Sequence, residues 1–247
     1  MKMPAPGSAP VIRFDGVSKR FGVTAILRDL GFEITAGTFV GLAGVNGAGK
    51  TTLIKCLLDF CHLDGGRIDI FGQSHRLPHS RAGLAFLPER FVPPYHLSGR
   101  EFLRTMQAMS QAHYDEAAVR TLFYDLDMPD DALEKPSRSL SKGMTQKLGL
   151  AACLLSGRDL YVLDEPMSGL DPQARARVKM LFRSLKGRGK TILFTSHSLA
   201  DIGEICDHML VLHQGSIAFS GAPDELRGRY EESTLERAFL RCIGSDG

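Results

Sequence analysis

Hydrophobic and polar positions change period several times along the chain. Over Val11–Phe21 and Ala25–Ile34 the pattern predicts two strands joined at Gly22, paired antiparallel. Thr38–Ala43 is a short apolar run ending in glycines, and a helical pattern follows from Lys50 to about Phe60. Strand, glycine loop and helix are the opening of an α/β unit. Arg67–Phe71 and Leu84–Leu87 predict further short strands. From Ser98 the period becomes helical: Phe102, Met106 and Met109 lie four and three apart, and Leu122, Phe123 and Leu126 repeat that spacing. No strand pattern interrupts residues 90–156, which read as a helical subdomain inserted into the α/β core. Its Met and Phe stripe reads as core rather than a ligand box, because such spacing is the general mark of an amphipathic helix. Strand-sized apolar runs return at Leu160–Leu163, Thr191–Thr195 and Met209–Leu212, with helices at about Pro172–Lys186 and Leu199–Cys206. This alternation predicts a buried, mostly parallel sheet with right-handed crossovers. Glu232–Ile243 predicts a closing helix. The expected fold is α/β, with N-terminal antiparallel strands and an inserted helical subdomain. Residues 1–10 read as a flexible tail, and 11–247 as one domain with its core at 11–89 and 157–220.

Composition narrows the class. The chain has 247 residues, 43% hydrophobic and 23% charged, with a formal net charge of +2 and both signs interspersed. This is globular composition, which excludes wholesale disorder and supports no broad nucleic-acid footprint. No run reaches the roughly 18–20 apolar residues of a membrane span. The first ten residues hold one Lys and three Pro without an apolar stretch, so no secretory signal is read. The five cysteines (Cys56, Cys61, Cys153, Cys206, Cys242) lack Cys-x-x-Cys spacing. They read as small hydrophobes rather than metal or redox ligands, as fits a reducing cytosol.

Two segments carry chemistry. Gly44-Val45-Asn46-Gly47-Ala48-Gly49-Lys50-Thr51 matches the phosphate-binding loop G-x-x-x-x-G-K-[ST]. Glycines let backbone N–H groups wrap phosphate oxygens without a Cβ clash, and the helix starting at Lys50 points its positive dipole end at them. Lys50 supplies a cation, and the Thr51 hydroxyl is placed to ligate Mg²⁺. Further on, Leu160–Leu163 delivers Asp164 and Glu165 to the C-terminal edge of the sheet, where ligands bind in open α/β folds. Asp164 would hold Mg²⁺, directly or through water, and Glu165, pointing elsewhere, could act on an attacking water as general base. Alone, these acids would read as a solvated strand end; the upstream loop reverses that reading.

With these motifs in order, the sequence resembles the nucleotide-binding subunit of an ATP-binding cassette (ABC) transporter. Leu140-Ser-Lys-Gly-Met-Thr-Gln146 is similar to the family's signature motif and lies shortly before the acidic strand. Ser168-Gly-Leu-Asp171 resembles the D-loop, His197 the switch histidine, and Phe21 the aromatic on which adenine stacks. The resemblance covers residues 11–220. It implies ATP and Mg²⁺ as cofactors, with ATP held by Phe21, the loop from Gly44 through Thr51, Thr52 and Asp171. It implies Lys50, Glu165 and His197 as catalytic residues, and Thr51, Glu89 and Asp164 at the metal. Two copies would pack head to tail as a homodimer, with Ser141 and Gly143 of one reaching the γ-phosphate held by Lys50 of the other. An integral membrane permease would be the second partner, placing the chain on the inner face of the cell membrane. Four positions depart from the commonest pattern: Glu89 stands where glutamine is usual, Lys142 and Met144 replace glycine and glutamine in the signature, and Phe21 replaces tyrosine. The Glu89 variant resembles cassettes of bacterial exporters. None of the four removes a reacting group.

Other classes fit less well. Soluble ABC proteins acting on ribosomes or DNA usually carry two cassettes or a long coiled coil, which 247 residues do not accommodate. A GTPase would read its base with Asn-Lys-x-Asp, and the single Asn here is Asn46, within the loop. A regulator without activity is disfavoured by the intact Lys50, Asp164, Glu165 and His197. Ending about one helix beyond the core, the chain is expected to lack a separate C-terminal regulatory domain.

Overall fold

A computed structural model describes residues 10–244, and most of the expected N-terminal tail lies outside the described residues. In chain order the first elements are β1 (Ile12–Phe21), β2 (Thr24–Ile34), β3 (Phe39–Ala43), α1 (Lys50–Leu57), β4 (Gly65–Ile70), β5 (Gln73–Ser74) and β6 (Leu84–Leu87). Next come α2 (Gly99–Met109), α3 (Glu116–Asp125) and α4 (Lys142–Leu155). The chain continues with β7 (Leu160–Leu163), α5 (Pro172–Gly187), β8 (Thr191–Thr195), α6 (Leu199–Ile205), β9 (His208–His213), β10 (Ser216–Gly221), α7 (Pro223–Arg229) and α8 (Leu235–Cys242).

One sheet is antiparallel, in the order β2-β1-β4-β5. The other has the order β10-β9-β3-β8-β7-β6 and is parallel except for β10. Every residue of β3, β7 and β8 is buried, which is why these strands read as unbroken apolar runs. Their side chains alternate between two cores. Val40, Leu42, Leu160, Val162 and Leu193 pack with Leu53, Ile54 and Leu57 of α1 and with the antiparallel sheet. Phe39, Tyr161, Leu163 and Phe194 face the opposite side, with Leu103, Leu148, Phe182, Ile202 and Phe239. At Gly41 an added Cβ would lie 2.8 Å from Ile202 Cγ2, so α6 rests directly on the β3 backbone.

The structure corrects several sequence expectations. α1 stops at Leu57, short of Phe60, because Asp59 takes a left-handed φ of 62° and the Phe60 amide bonds back to Lys55 O at 2.8 Å. The Phe102–Met106–Met109 stripe is only partly core. The buried face of α2 is centred on Phe102, Leu103 and Gln107, which turns Met109 to solvent at 76% exposure. The closing helix starts at Leu235 rather than Glu232, since Thr234 Oγ1 caps it by accepting from the Arg237 amide at 3.3 Å. β5, β10 and α7 carried no pattern long enough to be read. Cys56 and Cys153 are buried, and burial pushes their thiols up to about 11 and about 12. Among the described residues no helix is long and apolar enough to cross a membrane.

Candidate functional site

The loop between β3 and α1 is built on glycines, two of which, Gly44 and Gly49, have no room for a side chain. A Cβ at Gly44 would meet Leu212 O at 2.6 Å, and Gly49 has a φ of 110° with Leu27 and Ile26 closing on it from behind. Gly49 is the N-cap of α1 and offers no side-chain cap, so the first-turn amides have no side-chain partner. Gly47, with φ 81°, faces open space. Lys50 folds back over the loop, and its Nζ donates to Gly44 O at 2.6 Å and Val45 O at 3.3 Å. Burial lowers its pKa from the ordinary lysine value, while the carboxylates of Glu165, Asp164 and Glu89 oppose that shift.

Across the cleft, β7 ends beside β8. The pairing of Leu163 with Phe194 brings Thr195 alongside Asp164. Asp164 is 4% exposed; its amide donates to Leu87 O at 2.8 Å, and its carboxylate accepts from Thr195 Oγ1 at 2.6 Å. Thr51 Oγ1 approaches the other oxygen at 3.5 Å. Burial raises the Asp164 pKa, opposed first by the Thr195 hydrogen bond and increased by Glu89. Glu165 holds a left-handed φ of 49°, and its amide donates to Thr195 Oγ1 at 2.8 Å. His197 Nδ1 lies 2.8 Å from Glu165 Oε2, an approach that fits an Nδ1–H donor on a carboxylate. Burial raises the Glu165 pKa and His197 opposes the rise, so the carboxylate is a stronger base than a solvated one.

These groups share one cleft of about 700 Å³, within the size range of small-molecule sites. Phe21, Asn46, Gly47, Gly49, Lys50, Thr51, Thr52, Glu89, Asp164, Glu165 and His197 all line it. Gly44, Val45 and Ala48 complete the loop. The Phe21 ring is 53% exposed on one wall, with Lys19 Nζ 5.1 Å from its centroid. Six candidates do not line the cleft: Gly44, Val45 and Ala48 belong to the loop behind it, and three others lie on separate elements. Ser141 caps α4, accepting from the Met144 amide at 3.2 Å; Gly143 lies against Gly169; and Asp171 caps α5, accepting from the Ala174 amide at 2.9 Å. The Ala174 amide, joined by that of Gln173, holds the Asp171 carboxyl below the usual range.

Sequence reading assigned no site role to Ile26 and Ser168, which line the cleft, to Thr195, or to Gln146, whose Nε2 reaches Glu165 O and Pro166 O at 3.4 Å each. Ser168 and Gln146 were marked by the motifs that contain them and Thr195 by a hydroxyl ending an apolar strand, whereas Ile26 had no signal. The donors facing the cleft are carboxylate and hydroxyl oxygens. They fit Mg²⁺, which takes one or two such protein ligands together with substrate phosphates.

A glycine loop at a strand–helix junction, a lysine folded into it and acids at the ends of parallel strands define a P-loop nucleotide-binding protein. Residues 27–168 match the family model described as ABC transporter, and the chain belongs to that family. It is 38% identical over 208 residues to an uncharacterised ABC transporter ATP-binding protein of a Nostoc species. That match covers 82% of this chain and 61% of the relative, so the chain spans about three fifths of that protein. It is also 38% identical over 225 residues to the Nod factor export ATP-binding protein I of Burkholderia lata, covering 87% of this chain and 72% of the other. A solved ATP-binding subunit of an ABC transporter superposes with a TM-score of 0.86 at 28% identity, covering 94% of this chain and 99% of that one.

Proposed function

We propose that the chain binds ATP with Mg²⁺ and hydrolyses it to ADP and phosphate, powering export through an integral membrane permease. The carrying observation is the convergence of Lys50, Thr51, Asp164, Glu165 and His197 on one cleft. Export is supported by the named export relative and by Glu89 in place of glutamine. In this reading the chain works as a head-to-tail homodimer, bound peripherally at the cytoplasmic face of the cell membrane through the permease.

Each residue has a distinct task. The first-turn amides of α1 and the loop from Gly44 to Gly49 receive phosphate oxygens, and Lys50 Nζ exchanges its two carbonyl partners for the β- and γ-phosphates. Thr51, Asp164 and Glu89 would hold Mg²⁺, which when bound neutralises charge on the triphosphate. Glu165 takes the proton from the attacking water. His197 orients that carboxylate through Nδ1 and turns to the γ-phosphate as the nucleotide binds. Phe21 offers a ring face to adenine.

The experiment is purification from membranes, identification of the associated integral protein, and measurement of Mg²⁺-dependent phosphate release. Recovery free of any membrane protein, or no release from the intact complex, would overturn the reading.

Residues 90–156 would form the lever, a helical subdomain with the permease docking along Glu89–Ser98. Val92 and Tyr95 are 62% and 66% exposed in this segment. Phe91 instead packs 5.6 Å from the Phe102 ring and against Gly149, where a Cβ would fall 2.6 Å from Phe91 Cδ1. The two aromatics therefore divide plug and surface between them. Tyr95→Ala is expected to keep the melting temperature and basal hydrolysis while losing membrane recruitment. Phe91→Ala should cost roughly 2–3 kcal/mol, below the full core value because the ring is only partly buried. Normal recruitment of Tyr95→Ala would move the docking surface elsewhere.

A further inference from the structure

β8 ends in Thr195, which is 0% exposed, at the point where β7 delivers the two acids of the cleft. A threonine hydroxyl has one proton and two acceptor lone pairs. Here both kinds of capacity are used, and chemistry fixes the direction of each bond. An ionised carboxylate can only accept, so the Thr195 proton goes to Asp164 Oδ1 at 2.6 Å. A backbone amide can only donate, so the Glu165 N–H bonds to the same oxygen at 2.8 Å. One hydroxyl thus clamps two consecutive acids from the neighbouring strand.

The clamp has two consequences. With Oδ1 of Asp164 occupied, Oδ2 is the oxygen turned towards Thr51 Oγ1, 3.5 Å away. At Glu165 the anchored amide belongs to a residue with φ 49°, a backbone conformation that non-glycine residues seldom adopt. That conformation directs the carboxylate to His197, whose Nδ1 is 2.8 Å from Oε2. Thr195 and His197 lie two residues apart, so one strand end supplies both the clamp and the group that orients the base.

We propose that Thr195 is a positioning residue for ATP hydrolysis, which selects the Asp164 oxygen presented to Mg²⁺ and fixes where the Glu165 carboxylate stands. The inference rests on the roles given above to Asp164 and Glu165. A hydroxyl that merely satisfied buried polar groups would affect stability alone. A positioning hydroxyl also affects the dependence on metal and the chemical step.

Thr195→Val removes the hydroxyl at nearly constant volume. In the intact protein its turnover is expected to fall about 10- to 100-fold, the usual effect of removing a group that orients a metal-binding carboxylate. ATP affinity in EDTA should stay within twofold of wild type, because the loop and Lys50 are untouched. The increase in ATP affinity on adding Mg²⁺ should shrink several-fold. Thr195→Ser, which keeps the hydroxyl and loses the methyl, should restore turnover to within about threefold. If Thr195→Val does not fold, Thr195→Ala, which also carries no hydrogen-bonding side-chain group, is taken through the same measurements with the same expectations. Wild-type turnover and Mg²⁺ response in the hydroxyl-free variant, with only a lower melting temperature, overturns the proposal. So does a Thr195→Ser enzyme as impaired as Thr195→Val. A normal Thr195→Val beside an impaired Glu165→Gln rejects the clamp alone, whereas a fully active Glu165→Gln rejects the reading of the site on which it stands.

Discussion

Glu165→Gln is expected to bind ATP normally and to turn it over at least ~10²-fold more slowly, as loss of a general base implies. The amide has nearly the shape of the carboxylate, and its carbonyl oxygen can still accept from His197 Nδ1. The backbone anchor from the Glu165 amide to Thr195 is unaffected. What disappears is proton affinity, which burial raises at this position. Lys50, the loop amides and Thr51 remain to hold the nucleotide, so binding and chemistry separate. Equilibrium binding of a fluorescent ATP analogue and single-turnover phosphate release measure the two halves. Near-normal release would remove Glu165 from the role of base.

The same variant is expected to shift from monomer to dimer on saturation with ATP. The reason lies in what the cleft lacks: Ser141 and Gly143 line none of it, and the Ser141 hydroxyl caps its own helix. α4 is 14 residues long, so its N-terminus favours an anion, and a second copy docked head to tail could bring that end over the triphosphate. An isologous arrangement of identical chains would hold two equivalent nucleotides. Slowed hydrolysis lets the closed state accumulate, which is why Glu165→Gln is the form to examine. Light scattering at micromolar protein, with and without ATP, reads the outcome. A monomer at saturating ATP would contradict the trans arrangement, and adding Lys50→Ala should abolish the shift by weakening nucleotide binding.

Much of this molecule was legible in its sequence, because local rules govern the parts concerned. Strands β3, β7 and β8 are buried on both faces, so they appear as apolar runs. The phosphate loop is written in residues contiguous in sequence, where glycine spacing and the following helix suffice. Asp164 and Glu165 were recognisable because a strand ending in acids matters once such a loop is present. Where elements were short or polar, as in β5, β10 and α7, there was too little periodicity to read. The outward turn of Met109 depended on which side of α2 faces the core. Only the tertiary structure decided how the site is held together. Thr195 lies 31 residues from Asp164 and meets it because β8 pairs with β7 in one register; a shift of one residue would send the hydroxyl to the opposite face. Phe91 and Tyr95, four residues apart in one loop-like segment, become buried plug and exposed surface through the packing of α4 and Phe102. Sequence determines which groups are available and the period on which they repeat, whereas pairing register and packing determine which of them meet, since those depend on contacts between residues far apart in the chain.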